Sequence, residues 1–176
     1  GISGIRWRIK NVQSMQNLPA ISLADRANVK RNDYKKWIQL YDTLDDATRE
    51  RIKGKIAHMQ DPPMISVIMP TYNPRPGWLA EAVESVRKQL YSHWELCIAD
   101  DASTDSRIRA LLEDFARTDR RIKVVFRQKN GHICAASNSA LELATGEWVA
   151  LLDHDDILAE HALYCVADTV MKHPEA

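Results

Sequence analysis

The chain has 176 residues, 45% of them hydrophobic, and its 24 basic and 24 acidic side chains cancel. Such a chain can bury a real core as one domain, with or without an appendage, and it carries no internal repeat and no low-complexity segment. Nothing in it resembles a signal peptide, no apolar stretch approaches the roughly 20 residues of a membrane-spanning helix, and Cys97, Cys134 and Cys165 form no Cys-x-x-Cys pair, as expected of buried free thiols in a reducing compartment.

Charge is unevenly spread: residues 1–63 carry 12 Lys/Arg against 7 Asp/Glu, and the remainder 12 against 17. The basic front reads as a helical extension, its charged face either solvated or set against anionic headgroups or another domain. Residues 1–30 show little periodicity. Tyr34, Trp37, Ile38 and Tyr41 then make an amphipathic helical stripe. A second helix is expected after Thr43, where Thr-Leu-Asp-Asp resembles a capping box and Ile52, Ile56 and Met59 continue an apolar face; Asp61-Pro62-Pro63 ends it.

From residue 64 onward, short β-rich runs alternate with helix-period stretches, the pattern of consecutive βαβ units with a mostly parallel sheet. The expected strands are Ile65–Met69, Leu96–Ala99, Lys123–Phe126 and Trp148–Leu152, the last read as a buried strand. The helices between them should bury Leu79, Ala82, Val83, Val86 and Leu90, then Ile108, Leu111, Leu112 and Phe115, then Ile133, Ala136, Ala140, Leu141 and Ala144. A last helix should turn Ala162, Leu163, Val166 and Val170 inward. Trp78, Trp94 and Trp148 read as core or edge packing. The chain starts on Gly and stops just after a helical pattern, as a piece of a longer protein would.

Open parallel sheets bind ligands beyond the carboxyl ends of their strands, so the loops there carry the chemistry. After the first strand comes Pro70-Thr71-Tyr72-Asn73-Pro74, a stiff polar turn with an aromatic ring. Following the second is Asp100-Asp101-Ala102-Ser103-Thr104-Asp105, where a carboxylate can accept paired hydrogen bonds from a base or ribose while Ser103 or Thr104 caps the next helix. Arg127-Gln128-Lys129-Asn130-Gly131-His132 is a basic turn feeding a helix N-terminus, as a diphosphate requires. The fourth loop delivers Asp153, Asp155 and Asp156, whose mutual repulsion calls for a cation or hydrogen-bond donors. In extended backbone Asp153 and Asp155 share a side and His154 points away. Each loop alone also fits an ordinary turn or helix start, and His132 fits a structural hydrogen bond as well as a phosphate contact. Together they describe a site for a nucleoside diphosphate and a metal.

In order, Val-Ile-Met-Pro-Thr-Tyr-Asn, Ile-Ala-Asp-Asp-Ala-Ser-Thr-Asp and Gly-Glu-Trp-Val-Ala-Leu-Leu-Asp-His-Asp-Asp closely resemble the family 2 glycosyltransferases of the GT-A fold, across about residues 64–173. The resemblance implies an α/β, Rossmann-like sheet flanked by helices, with residues 64–176 as the nucleotide-sugar-binding half of that domain behind the extension 1–63. It implies a UDP- or dTDP-sugar donor, a saccharide or lipid-linked acceptor, and transfer with inversion in polysaccharide biosynthesis. By similarity Pro70, Thr71 and Tyr72, with Asn73 beside them, border the base. Asp101, next to Asp100, binds the uracil or its ribose. Asp153 and Asp155 form an Asp-x-Asp motif for Mg²⁺ or Mn²⁺, with Asp155 the direct ligand and Asp153 on the ribose or a metal-bound water.

Many relatives carry Ala-Arg-Asn where this chain has Ala136-Ser137-Asn138, so Lys129 or a group outside the chain must supply that positive charge beside Asn138. The general base of the family lies on a later strand, beyond residue 176. Within the chain only Asp156, Asp105 and Asp168 stand as substitutes, and Asp168 reads as a surface charge. The parent protein is therefore expected to be a cytoplasmic transferase, at most peripheral to the inner face of the membrane, while this chain binds donor and turns over little or nothing. A non-catalytic nucleotide-binding scaffold is the alternative. A phosphoryl-transfer enzyme is disfavoured because the first strand ends in Pro70-Thr71 and no Gly-rich Walker loop is present. The acidic body argues against nucleic acid as a partner.

Overall fold

A computed structural model describes Ile38 and residues 43–173; the stripe expected through Tyr34, Trp37 and Tyr41, like the reading of residues 1–30, lies outside the described residues. The chain divides into two compact units, Gly1–Arg51 and Ile52–Ala176. Helix α1 spans Asp46–Ala57. The expected capping box is not the one used. Asp45 accepts from the Thr48 N–H at 2.7 Å, whereas the Thr43 hydroxyl turns back to donate to the Ile38 carbonyl at 3.1 Å. Both residue types satisfy orphan donors at a helix start, and a carboxylate there also meets the positive end of the helix dipole.

In the second unit, strands β1 (Ile65–Thr71), β2 (Trp94–Asp100), β3 (Ile122–Phe126) and β4 (Trp148–Leu151) form one parallel sheet in the order β3-β2-β1-β4. Helices α2 (Pro76–Arg87), α3 (Ser106–Thr118) and α4 (His132–Leu141) make the crossovers, and α5 (Ala162–Lys172) follows β4. Each expected strand is present, as β-branched and apolar runs of four to seven residues fit a pleated surface and satisfy their backbone by pairing laterally. α4 brings Ala136 and Ala140 onto Ile68, Cys97 and Ala99, with Val125, Leu143, Ala144 and Val149 packed around them. Val67, Met69, Leu96 and Ile98, facing the other way, are equally buried, so the centre of the sheet is covered on both faces.

Several expectations change. β4 pairs only with β1 among the described residues, and Leu151 at its end is 74% exposed, so the run before the acidic turn is an edge strand and not a buried one. α2 and α3 bury the expected residues except Leu111, which is half-buried, as is Leu90 beyond the end of α2. α4 buries Ala136 and Ala140 but leaves Ile133 and Leu141 exposed, and α5 turns Leu163, Tyr164 and Ala167 inward with Val166 outward. Cys97 is buried, Cys165 half-buried and Cys134 exposed. Of the tryptophans, Trp94 is core, Trp148 is half-buried, and Trp78 is partly exposed with the Arg75 guanidinium 4.3 Å over its ring.

The amino end of the sheet is closed by a polar network around the buried Glu95. Glu95 accepts from the Ser66 hydroxyl at 2.7 Å and the Thr145 hydroxyl at 3.0 Å, and pairs with Lys123 Nζ at 2.6 Å. The Gly146 N–H reaches Ser66 Oγ at 2.9 Å. Burial alone would raise the Glu95 pKa, but the Lys123 ion pair and the Thr145 and Ser66 donors outweigh it and hold the carboxyl down at about 2. Gly146 is required here: a Cβ would stand 2.6 Å from the Met64 carbonyl oxygen and 2.8 Å from Ser66 Oγ.

Candidate functional site

The strand order reverses direction at β1, so the loops after β1 and β4 part around a crevice at the carboxyl end of the sheet. A cavity of about 470 Å³ opens there. Pro70, Thr71 and Tyr72 line it from β1, Asp101 from the end of β2, Asn130 from the β3–α4 loop, and His132, Ile133 and Ala136 from the start of α4. Asp153, His154 and Asp155 close it from β4.

The loops around this cavity carry local strain and cross-bracing. Asn73, Ala102 and His132 have φ of 45°, 62° and 63°, in the left-handed region that costs a non-glycine residue of order 1 kcal/mol or more. Asn73 ties two loops together: its N–H donates to Ser103 Oγ at 2.8 Å, and its side-chain carbonyl accepts from the Thr104 N–H at 2.8 Å. With Ser103 and Thr104 so engaged, α3 is capped by Asp105, which accepts from the Arg107 N–H at 2.9 Å. Arg107 also holds the Asp105 carboxyl below its ordinary pKa.

Asp101 is 1% exposed, and its carboxylate is already engaged. It pairs with Arg127 Nε at 2.7 Å and accepts from the Gly131 N–H at 3.0 Å, while Arg127 reaches on to the Ala135 carbonyl at 3.0 Å and to the Ser139 hydroxyl. A side chain at position 131 would break this knot, since a Cβ there stands 2.7 Å from Arg127 Nη2 and 2.8 Å from Ala135 Cβ. Arg127 is a site residue that the linear sequence shows only as one charge in a basic turn; its partner lies far back in the chain.

At the opposite wall the strand ends at Leu151, and residues 153–156 form a turn closed by the Asp156 N–H on the Asp153 carbonyl at 3.1 Å. Extended alternation therefore does not apply. His154 Nδ1 lies 3.4 Å from the Pro70 carbonyl oxygen, and the residue lines the cavity beside both aspartates instead of pointing away. Asp153 and Asp155 are exposed, and no ion pair reaches either from the described residues. Among those residues no three Asp, Glu, His or Cys side chains converge to hold a metal by themselves. Asp153 and Asp155 are two hard oxygen donors, the kind of partial set that ligand phosphates and water complete around Mg²⁺ or Mn²⁺.

Of the other expected residues, Asn73 is the loop brace described above and Asp100 accepts from the Ser103 N–H at 3.1 Å. Lys129 and Asn138 are exposed, and neither lines the cavity. No Lys or Arg lines it among the described residues. Thr71 and Asp100, register partners in β1 and β2, each keep one buried side-chain oxygen, Oγ1 and Oδ1, without a hydrogen-bond partner. Buried orphan acceptors of this kind call for a ligand or water. Asp168 is salt-bridged to Lys172 at 2.6 Å on the far helix α5.

The family model described as "Glycosyl transferase family 2" matches residues 66–176. The putative teichuronic acid biosynthesis glycosyltransferase TuaG of Bacillus subtilis is 45% identical over 94 residues, covering 53% of this chain and 36% of that protein. The uncharacterized protein y4gI of Sinorhizobium fredii is 49% identical over 126 residues, covering 72% of this chain and 14% of that one, so the chain spans well under half of either relative. Staphylococcus aureus TarS 1-349 in complex with UDP-GlcNAc superposes with a TM-score of 0.57 at 31% identity, covering 63% of this chain and 32% of that chain. The mannosyltransferase PcManGT of Pyrobaculum calidifontis, in complex with GDP-Man and Mn²⁺, gives 0.53 at 25% identity, covering 68% and 37%. The fold is α/β and similar to GT-A glycosyltransferase structures.

Proposed function

This chain belongs to glycosyl transferase family 2, and on that premise we propose that its carboxyl-end cavity holds the nucleoside diphosphate of a sugar donor. The base lies at the Tyr72 and Asp101 wall and the pyrophosphate at the Asp153 and Asp155 wall. The observation that carries this reading is the convergence of loops from the ends of the four described strands on one cavity with paired carboxylates and, among the described residues, no Lys or Arg in its lining. A pyrophosphate there needs an external cation. The solved relatives support the donor class, since TarS binds UDP-GlcNAc and PcManGT binds GDP-Man with Mn²⁺.

In this reading the exposed Tyr72 ring covers a base face, and the Thr71 hydroxyl gives its unpartnered oxygen to the base or ribose. Arg127 and the Gly131 N–H hold the Asp101 carboxylate in place, with lone-pair capacity left for one donor from the nucleoside. Asp153 and Asp155 would hold Mg²⁺ or Mn²⁺. That ion would neutralise charge on the departing nucleoside diphosphate. Sugar passes with inversion to a saccharide or lipid-linked acceptor, deprotonated by a base contributed from beyond residue 176; this chain alone turns over little or nothing. The whole protein works on the cytoplasmic side, touching the membrane at most peripherally. No helix among the described residues is long and apolar enough to cross a membrane.

Titration calorimetry of the chain with UDP, dTDP and GDP tests the reading. At least one should bind, at least tenfold more tightly with Mn²⁺ than with EDTA, and Asp155→Ala should erase that difference. Failure of all three to bind with Mn²⁺ would overturn it.

A further inference from the structure

The acidic turn is a short segment at a sheet edge, and its position has to be set by something. Upstream, β4 holds it through the Leu152 N–H on the Ile68 carbonyl at 3.1 Å. Downstream, residues 157–160 lie outside any helix or strand, Ile157 is 65% exposed, and a cavity of about 430 Å³ separates Ile157 and Leu158 from Ala80, Glu81 and Glu84 of α2. Hydrogen bonds from Ser85 in α2 and from Gln89 and Leu90 just after it span that flank.

Gln89 is the centre of them. It is 7% exposed, and its amide is fully used: Nε2 donates to the Ala159 carbonyl at 2.6 Å and to the Ser85 carbonyl at 3.2 Å, while Oε1 accepts from the Leu163 N–H at 3.0 Å. Ser85 Oγ accepts from the Leu158 N–H at 3.1 Å, and the Leu90 N–H donates to the Glu160 carbonyl at 2.8 Å. One buried side chain thus joins the end of α2, the flank of the acidic turn and the first turn of α5. A buried amide satisfied on both ends fixes geometry because every alternative leaves polar groups unpaired.

We propose that Gln89, assisted by Ser85, is a positioning residue that sets the Asp153–Asp155 turn from behind and so preforms the pyrophosphate end of the site. The inference rests on the donor reading above for its functional consequence, while its structural half stands independently. Gln89 touches no residue lining the donor cavity; it acts through the backbone of residues 158–163.

The test uses Gln89→Ala and the volume-matched Gln89→Met, with Ser85→Ala as a milder variant. Amide exchange of residues 152–160 should quicken at least tenfold in both Gln89 variants and less in Ser85→Ala, with β1 and β2 unchanged. Affinity for UDP with Mn²⁺, or for dTDP or GDP should either bind more tightly, should fall about tenfold, while affinity for the matching nucleoside, read by NMR titration, changes less than twofold. Equal losses for nucleotide and nucleoside would mark Gln89 as merely structural, and unaltered exchange in the acidic turn would overturn the proposal outright. A wild-type chain that binds no nucleoside diphosphate defeats the donor reading; the exchange of residues 152–160 still decides the clamp.

Discussion

Both ends of the parallel sheet hold a buried, ion-paired carboxylate, Glu95 at the amino end and Asp101 at the carboxyl end, but the carboxyl end also leaves carboxylate oxygens open. At the amino end, Glu95 is surrounded by Ser66, Lys123, Thr145 and Gly146, and its side-chain oxygens are both engaged within the chain. At the carboxyl end, Thr71 and Asp100 keep unpartnered buried oxygens, Asp153 and Asp155 reach a cavity without an ion pair from the described residues, and three non-glycine residues sit in left-handed backbone. A charge satisfied internally adds stability and needs no ligand. One left open marks where the molecule expects something from outside.

That contrast can be broken by substitution. The largest expected effect on stability is at the closed end. Glu95→Ala leaves Lys123, Ser66 and Thr145 without their shared acceptor and should cost roughly 3 kcal/mol in denaturant unfolding, with nucleotide affinity unchanged. The same group predicts an acid limb. Its folded pKa of about 2 lies below its ordinary value of 4.5, so its contribution is complete above pH 4.5 and is lost as pH falls through 2; the shift is equivalent to about 3 kcal/mol. Glu95→Gln should flatten that limb, and an unaltered limb would assign it to other carboxylates. Gly146→Ala should cost about 1–3 kcal/mol, because the added methyl meets the Met64 carbonyl, which cannot swing aside. At the open end the order inverts. Asp155→Ala should change unfolding by less than about 0.5 kcal/mol while removing Mn²⁺-dependent nucleotide binding, as expected of an exposed carboxylate. A large loss of stability at Asp155 would erase the distinction between the two ends.

The division of sequence into strands and crossover helices was legible because it rests on local patterns. The β-rich runs at Ile65, Leu96, Lys123 and Trp148 became strands, and the loops between them reached one edge as parallel order requires. What stayed hidden depends on distant partners. Thr43 and Asp45 are both good caps, and so are Ser103, Thr104 and Asp105; Asn73, far back in the chain, engages Ser103 and Thr104 and leaves the α3 cap to Asp105. Ile133 reads as a core residue by period, yet it lies at the cavity wall and is 60% exposed. His154 turned inward because β4 ends two residues before Asp153, a boundary that apolar content does not define. Arg127 acquires its meaning from Asp101, Ala135 and Ser139, none of which is its neighbour in sequence.

The most direct test is a crystal structure of the chain with UDP and Mn²⁺. The account predicts the uracil against Tyr72 and Asp101 and the pyrophosphate, with one Mn²⁺, against Asp155 and Asp153. A nucleotide seated away from this cavity, or one whose phosphates stand clear of both Asp153 and Asp155, would contradict it.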